Sequence, residues 1–284
     1  MKAIAITAAD EAYAALAGGL LESLEPHRAA LELDAGVLDL GLSLQSKERL
    51  SARGARVLVP PWPFRPHARF DGDLKWRARA SRPFLRDLFP GYDAYVWLDA
   101  DTFVQERRGL EWLLRTGSGE STAVVPAVDR SYTHHPRQVE WVRQRYAMGF
   151  GAEVAERLMA FPYVNSGVFA FGARAPVWAL FARRFQGALD RWDGKFLSDQ
   201  AVLNATLVLD EVAHARLPAL CNWICHLSLP RWHSEQRLFL ESSFPFAPIL
   251  IVHNTPVDKN AVYKLKDERG RPHETRLAFS SLSR

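Results

Sequence analysis

A short apolar run followed at once by two aspartates constrains this chain more than any other feature. The run A-Y-V-W-L at 94–98 is rich in aromatic and β-branched residues and lies between Pro90-Gly91 and an acidic turn. This pattern is typical of a buried strand. Asp99 and Asp101 follow where that strand is predicted to end. Ligand sites in open α/β sheets form at the carboxyl ends of strands, so both carboxylates fall where a site is expected.

Two carboxylates at this spacing admit two interpretations. Unpaired, they repel each other, and one of them resists ionisation. A divalent cation removes that conflict, and oxygen ligands suit Mg2+ or Mn2+, which can also hold phosphate oxygens of a ligand. The alternative is a pair of solvated aspartates that cap a strand, because an isolated D-x-D pattern often arises by chance. Other motifs in the sequence are needed to distinguish a metal site from a pair of solvated capping aspartates.

Strand-like and helix-like segments alternate along the chain, which predicts an α/β fold with a largely parallel sheet. The predicted strands include 2–7, 36–41, 55–59, 94–98 and 249–252, and the predicted helices include 10–24, 43–50, 74–88, 136–148 and 177–192. Pro126 lies inside the strand-like run 122–128, which predicts that this strand is at a sheet edge or ends early. The sequence shows no internal repeat, so we expect one domain.

Composition narrows the class of protein. The 284 residues are 48% hydrophobic, enough for a substantial core. No uncharged apolar run reaches 18 residues, so no transmembrane helix is predicted, and Asp10 interrupts the amino end too early for a signal peptide. Only Cys221 and Cys225 are present, which argues against a disulfide scaffold and predicts a cytoplasmic location. The net charge of +4 is mild for a nucleic-acid binder, but it is compatible with a polyphosphate ligand.

Several motifs accompany L-D-A-D-T along the chain. They are I-A-I-T-A-A-D-E-A-Y at 4–13, Y-V-N-S-G-V-F at 163–169, L-S-D-Q-A-V-L-N at 197–204 and I-L-I-V-H-N-T-P-V-D-K at 249–259. In this order they resemble retaining glycosyltransferases of the GT-A fold, of the family 8 type that includes bacterial lipooligosaccharide galactosyltransferases and glycogenin. The resemblance implies one GT-A domain over 1–260, with a mostly parallel central sheet flanked by helices, and a polar, basic tail over 261–284.

The resemblance also implies which residues hold the nucleotide. Asp10 would meet the base and Tyr13 would stack on it, since a base offers a π-face and a polar edge. Arg79 and Arg82 are the candidates for contact with the phosphate or sugar, although the positive charges at 74–88 also fit a solvated helix face. Lys259 would bind the distal phosphate. Ala100, within the D-A-D turn, belongs to the same set of donor-contacting residues.

Metal and sugar ligands follow from the same resemblance. Asp99, Asp101 and His253 would ligate Mn2+ or Mg2+ on the diphosphate, and an imidazole beside two carboxylates favours Mn2+.

The sugar pocket would be formed by two further motifs. Asn165 and Ser166 would line it where a strand passes the sugar. Asp199 would accept hydrogen bonds from sugar hydroxyls, and Gln200 would lie near the anomeric carbon. The alternative interpretation of Asn165 and Ser166 is a turn before a strand. The alternative interpretation of Asp199 is ordinary helix capping.

The resemblance therefore implies a metal-dependent transferase that moves a hexose from a nucleotide diphosphate sugar, most often UDP-linked, to a hydroxyl acceptor with retention. The acceptor is expected to be a saccharide, a lipid-linked molecule or a protein, with no nucleic-acid partner. The basic tail is expected to allow contact with the inner face of a membrane. Two alternatives stay open. L-D-A-D-T-F also resembles the first motif of haloacid-dehalogenase-type phosphatases, with Asp99 as nucleophile and Asp101 as acid/base, and the fold can also serve a non-catalytic sugar-nucleotide-binding module.

Overall fold

The computed structural model describes residues 1–64, 74–191, 198–255 and 257–282. The strands of this part of the chain are β1 (Ala3–Ala9), β2 (Leu33–Asp39), β3 (Ala55–Leu58), β4 (Ala94–Leu98), β5 (Thr102–Val104), β6 (Thr122–Pro126), β7 (Val164–Gly172), β8 (Ala215–Arg216), β9 (Trp223–Ile224), β10 (Arg231–His233), β11 (Leu238–Leu240), β12 (Ile251–His253), β13 (Tyr263–Lys266) and β14 (Pro272–Thr275). The helices are α1 (Ala14–Leu31), α2 (Leu44–Ala52), α3 (Leu74–Ser81), α4 (Leu85–Leu88), α5 (Arg107–Thr116), α6 (Pro136–Phe150), α7 (Ala152–Met159), α8 (Val177–Arg191) and α9 (Asp199–Leu209).

Seven strands form the central sheet in the order β3-β2-β1-β4-β7-β6-β8. The first four strands, β3, β2, β1 and β4, are parallel to one another. Strand β7 runs antiparallel to both β4 and β6, and β8 pairs parallel with β6. The predicted α/β class, with a mostly parallel central sheet flanked by helices, is confirmed.

The core fills both faces of this sheet, because successive side chains of a strand point to opposite faces. On one face, Val96 and Val168 pack in a cluster with residues of α1 and α5. On the other face, Tyr95, Trp97 and Phe169 pack with residues of α8 and α9. Burying each of these side chains contributes about 1.5–3 kcal/mol, so the packing that stabilises the sheet also holds the strands that carry the site.

The basic segment 74–88 differs from the single predicted helix. Helix α3 ends at Ser81, a 3-10 turn covers Arg82–Phe84, and α4 follows. Pro83 causes the break, because proline lacks a backbone N–H and disfavours the helical conformation at the residue before it. Arg82 therefore lies in the turn rather than on a helix face, and it is buried.

Strand β6 shows which effect Pro126 has on its segment. The strand lies between β7 and β8, so it is not at an edge, and it ends at Pro126 rather than at 128. Its pairing with β7 shifts register between Val124 and Pro126, because the ring nitrogen has no proton to donate. Of the two predicted effects of Pro126, the early end is the one observed.

The segment after residue 260 contains the antiparallel hairpin of β13 and β14. Leu265 and Leu277 from this segment are buried in a cluster with Trp223, Phe239 and Val252. The segment therefore packs against β9, β11 and β12, and β12 ends at His253. Among the helices described, none is both long and apolar enough to cross a membrane.

Candidate active site

A cavity of about 940 Å3 opens where β1 and β4 end and β7 begins. Residues predicted from the sequence line it at several points: Asp10, Tyr13, Arg79, Arg82, Asp99, Ala100, Asp101, Asn165, Ser166, Asp199, Gln200 and His253. Lys259 lines a neighbouring cavity of about 500 Å3 instead. Asp101 borders both cavities, so it lies between Lys259 and the other predicted residues.

Asp99, Asp101 and His253 each offer a donor atom within 4.8 Å of the others. Nε2 of His253 lies 3.3 Å from Oδ1 of Asp101 and 3.8 Å from Oδ2 of Asp99. Strand pairing explains this meeting, because β12 runs antiparallel to β5 with His253 opposite Thr102. A histidine 152 residues along the chain (253 − 101) from Asp101 is thereby placed beside the D-A-D turn.

The proton on His253 is fixed by a residue that the sequence did not single out. Nδ1 of His253 lies 2.8 Å from Oδ1 of the buried Asn222. Because an amide oxygen only accepts hydrogen bonds, Nδ1 carries a proton, and Nε2 is the nitrogen whose lone pair the neutral imidazole can offer to a cation. Nε2 is buried without a hydrogen-bond partner among the described residues. A lone pair facing two carboxylates fits a divalent cation, and the nitrogen–oxygen donor set suits Mn2+.

Asp101 is held in its charged form. Burial raises the pKa of this carboxyl, but the charged form of His253 and the Lys259 ammonium outweigh burial and bring the pKa well below its usual range. Nζ of Lys259 lies 3.1 Å from Oδ2 of Asp101 and also donates to the backbone oxygen of Asn254. The carboxylate is thus ionised at any ordinary pH.

Gly167 allows the three candidate metal ligands, Asp99, Asp101 and His253, to approach one another. A Cβ at this position would lie 2.3 Å from Cε1 of His253 and 2.9 Å from Oδ2 of Asp99, closer than any side-chain carbon tolerates. The backbone oxygen of Gly167 also accepts from the Asp99 N–H at 2.8 Å. The absence of a side chain at Gly167 is therefore part of the geometry of the site.

Arg82 connects the metal-ligand group to the predicted sugar pocket. Its Nη2 donates to Oδ1 of Asp99 at 2.7 Å, and its Nη1 donates to Oδ2 of Asp199 and to Oγ of Ser166. The guanidinium also lies 4.5 Å from the centre of the Trp97 ring. Arg82 therefore links the carboxylates of Asp99 and Asp199, since a planar guanidinium can bridge two carboxylates in fixed geometry.

Arg79 has a smaller part in this network. Its Nε lies 3.9 Å from Oδ1 of Asp199, and its guanidinium lies 5.3 Å from the Trp76 ring. About a third of its side chain is exposed, so its contact with Asp199 is weaker than that of Arg82.

The start of α9 is fastened to the start of β7 by side-chain amides. Oε1 of Gln200 accepts from the Ser166 N–H at 2.8 Å, and Nε2 of Gln200 donates to the Tyr163 hydroxyl. Asn204 pairs with both backbone groups of Val164, each at 2.8 Å. Both ends of the Gln200 amide are therefore occupied. Asn204, which is part of the predicted motif, holds the strand in place.

The amino-terminal motif forms the opposite wall. Asp10 caps the turn at 11–13 by accepting from the Tyr13 N–H at 3.1 Å. The Tyr13 ring is 38% exposed and lies 5.7 Å from Nζ of Lys259. The exposed ring face is available for stacking, and Asp10 acts as a helix cap in addition to lining the cavity.

Asn165 completes the contacts around the ligands. Its Oδ1 accepts from the Gly167 N–H at 2.9 Å and from Nδ2 of Asn222 at 3.1 Å. The chain from Asn165 through Asn222 to His253 orients both amides, so the direction of the Asn222 oxygen is supported from two sides.

Sequence reasoning missed Asn222, Trp97 and Tyr163. Trp97 donates from Nε1 to Oδ1 of Asp99 at 2.8 Å, and Tyr163 holds Gln200. The only available signal for Asn222 was a single amide in the apolar run A-L-C-N-W-I-C. Trp97 and Tyr163 resemble any core aromatic residue in the sequence.

No family model and no curated protein matches this chain. Its fold is similar to several solved structures. The galactosyltransferase LgtC, in complex with donor and acceptor sugar analogues, is 16% identical at a TM-score of 0.53, over 88% of this chain and 86% of that chain. The bifunctional glycosyltransferase WbbM is 17% identical at a TM-score of 0.55, over 90% of this chain and 46% of that chain.

A third similar structure is the glycosyltransferase GlyE of Streptococcus pneumoniae TIGR4, which is 17% identical at a TM-score of 0.52. The match covers 91% of this chain and 55% of GlyE. This chain thus spans about half of WbbM and GlyE and most of LgtC. Together with the strand order, these likenesses establish the GT-A glycosyltransferase fold.

Proposed function

We propose that this protein is a metal-dependent glycosyltransferase that moves a hexose from a UDP-linked donor to a hydroxyl acceptor, with retention, as in the family 8 type. The observation that carries the proposal is the buried, unpartnered Nε2 of His253 facing the carboxylates of Asp99 and Asp101. The group borders a cavity that is large among small-molecule sites, which occupy about 300–1,000 Å3, so donor and acceptor fit together.

Asp99, Asp101 and His253 would hold Mn2+, or Mg2+ in its absence. Bound there, the cation would neutralise negative charge on the departing nucleoside diphosphate. Lys259 supplies a second positive charge beside Asp101, and Arg82 a third beside Asp99. These fixed charges stabilise the leaving group without needing to reorganise.

The donor would be oriented from both ends. Tyr13 would stack on the base and Asp10 would meet its polar edge, with Ala100 and Asn165 lining the path between base and sugar. Asp199, with Ser166 beside it, would accept hydrogen bonds from sugar hydroxyls. Gln200 would face the anomeric carbon, and its occupied amide favours positioning of the sugar over nucleophilic attack on it.

Calorimetric titration of UDP with and without Mn2+, followed by a panel of nucleotide sugars, tests the proposal. We expect UDP to bind much more tightly with Mn2+, and one donor to release free hexose and UDP slowly. The variants Asp99→Asn, Asp101→Asn and His253→Ala should each lose this turnover while they keep the fold. Near-normal turnover of any two variants at low Mn2+ would refute the metal assignment.

The same samples separate the two alternative functions. Hydrolysis of a phosphomonoester with Mg2+, without binding of UDP, would support the phosphatase hypothesis. Tight UDP–Mn2+ binding without turnover of any donor would support a binding module. We also propose a cytoplasmic location, in keeping with the free thiols of Cys221 and Cys225, with the basic segment after 260 facing a membrane.

A further inference from the structure

One wall of the main cavity is apolar and exposed, and the proposed donor chemistry does not use it. Helix α6 contributes Val139 and Trp141, and the end of α7 and the residues after it contribute Met159 and Phe161. Leu227, which is buried and follows β9, completes the apolar lining. Val139, Trp141 and Phe161 are 37%, 41% and 46% exposed. Large apolar side chains that gather at a cavity with this exposure mark a binding surface. This set of five residues is called the apolar wall below.

The apolar wall adjoins the proposed sugar pocket. Tyr146 of α6 packs edge-on against Tyr163 at 6.0 Å between ring centres, and Tyr163 holds the Gln200 amide. The guanidinium of Arg145 lies 4.9 Å from the centre of the Trp141 ring, which orients the indole although it is exposed. An acceptor whose hydroxyl reaches the sugar would therefore contact the apolar wall through the atoms next to that hydroxyl.

Among the residues that the structure describes, few polar side chains line the cavity beside the apolar wall. The polar side chains of α6 and the neighbouring loops that line the cavity there are His134, Gln138 and His226. Gln138 and His226 bond each other at 2.8 Å, and Nδ1 of His226 bonds the backbone oxygen of Thr255. Two of the three are thus engaged within the protein rather than presented to a ligand.

We infer that the apolar wall binds a hydrocarbon group joined directly to the hydroxyl-bearing part of the acceptor, so that the acceptor is an alkyl or prenyl glycoside rather than a free sugar. This rests on the proposed function, because it assigns the acceptor end of the same cavity. A peptide or a long polysaccharide fits less well. Each brings a polar group at nearly every unit, and each buried polar group needs a hydrogen-bond partner. A hydrocarbon chain needs none and gains from burial alone.

The test measures binding of the methyl, butyl and octyl β-D-glucopyranosides and β-D-galactopyranosides, each below its micellar concentration, with UDP and Mn2+ present. Each methylene buried on the wall should tighten binding about fourfold, so butyl glycosides should bind at least about tenfold more tightly than methyl glycosides. Trp141→Ala and Phe161→Ala should each remove much of this gain. Both should keep the parent affinity for UDP and the parent melting temperature.

Phe244→Ala is the matched control, because Phe244 is 79% exposed and lies outside the lining of the cavity. It should retain the full dependence on chain length. Equal binding of all chain lengths, or no binding of any glycoside, would overturn the inference. If UDP still binds with Mn2+ in that case, the proposed function is unaffected. Tighter binding of a capped Ala-Phe-Ala peptide, lost in Trp141→Ala, would also overturn it in favour of a peptide acceptor. Failure of UDP to bind would refute the proposed function itself.

Discussion

Asn222 and His253 meet at 2.8 Å through the side-chain oxygen of one and Nδ1 of the other, across 31 positions of the chain. This contact decides which imidazole nitrogen has a free lone pair, and it aims that nitrogen at Asp99 and Asp101. An imidazole whose orientation and tautomer are already fixed loses little conformational freedom when it binds a cation.

Replacing Asn222 should weaken the metal site without removing a ligand. In Asn222→Leu, Nδ1 of His253 loses its acceptor, so we expect the affinity for Mn2+ to fall about 10–100-fold. Asn222→Asp should restore most of it, because a carboxylate accepts the same proton. Electron paramagnetic resonance titration of Mn2+ measures both, and the exposed Asn260→Ala serves as control. Unchanged affinity in Asn222→Leu would show that the contact does not position His253.

Gly167→Ala should disable the site by steric contact. The added carbon would lie 2.3 Å from Cε1 of His253, so strand β7 or the imidazole must move. We expect loss of Mn2+ binding and a lower melting temperature. Gly187→Ala is the matched control, since its nearest neighbours lie 3.9 Å away, and alanine in a helix is more stable than glycine by about 0.5–1 kcal/mol. Normal Mn2+ affinity in Gly167→Ala would contradict the close packing described here.

Arg82 and Asp199 should be strongly coupled in stability. Arg82→Met leaves two carboxylates without their buried partner, which should cost about 3–5 kcal/mol. Adding Asp199→Asn to that variant should recover part of the loss, because one buried charge disappears. Urea unfolding of the two single variants, the double variant and the parent gives the coupling energy. The exposed Arg174, next to Glu120, is the control: Arg174→Met should leave the free energy of unfolding nearly unchanged. Additive effects of Arg82→Met and Asp199→Asn would mean that the pair does not act as a unit.

Tyr13→Ala should weaken UDP binding more than it affects folding. The loss of one stacking contact costs about 0.5–1.5 kcal/mol, or up to about tenfold in affinity. Tyr13→Phe keeps the ring and should bind UDP as the parent does. Calorimetric titration compares the three proteins. Equal affinity in Tyr13→Ala would place the base elsewhere in the cavity.

Asp39 provides a test of pH dependence away from the ligands. Burial raises the pKa of this carboxyl, but Lys47 and the N–H groups of Leu42 and Gly41 outweigh burial and lower the pKa overall. A lowered pKa in the folded state stabilises the protein above the unfolded value of about 3.9. This contribution disappears as the pH falls through the folded pKa.

Asp39→Asn should therefore lower the free energy of unfolding by about 2 kcal/mol at pH 7. The difference from the parent should shrink below about pH 4. Urea unfolding of both proteins between pH 3 and pH 7 measures this. A difference that stays constant across the range would mean that the charge on Asp39 is not responsible.

The sequence sufficed for the fold class and for the residues that end strands. Asp99 and Asp101 follow an apolar run at the carboxyl end of a strand, where a site is expected. His253 ends another apolar run, but it reaches them through the antiparallel pairing of β12 with β5, so its place was implied by the family resemblance rather than by the parallel-sheet pattern. Arg82 could not be told from Arg79 in this way, because both occur in the same basic segment. The difference depends on the turn at Pro83, which turns Arg82 inward and leaves Arg79 on the surface of α3.

Other parts of the site could not be read from the sequence. Asn222, Trp97 and Tyr163 act through contacts between distant segments, and no local spacing encodes such contacts. Their importance follows from where β9, β4 and β7 pack, which only the assembled sheet determines. The apolar wall has the same origin, because Trp141 and Phe161 resemble core residues until the helices that carry them are placed beside a cavity.

The geometry of the Asp99–Asp101–His253 group depends on the register between β7 and β4, which pair antiparallel. Val168 lies opposite Leu98, which puts Gly167 against Asp99 and leaves room for His253. A slip of one residue between these strands would turn every side chain of β7 to the other face of the sheet and replace Gly167 by a residue with a side chain. On the proposed function, therefore, only chains with correctly paired strands would bind Mn2+ during folding. The time course of metal uptake after refolding would report the moment at which the centre of the sheet closes.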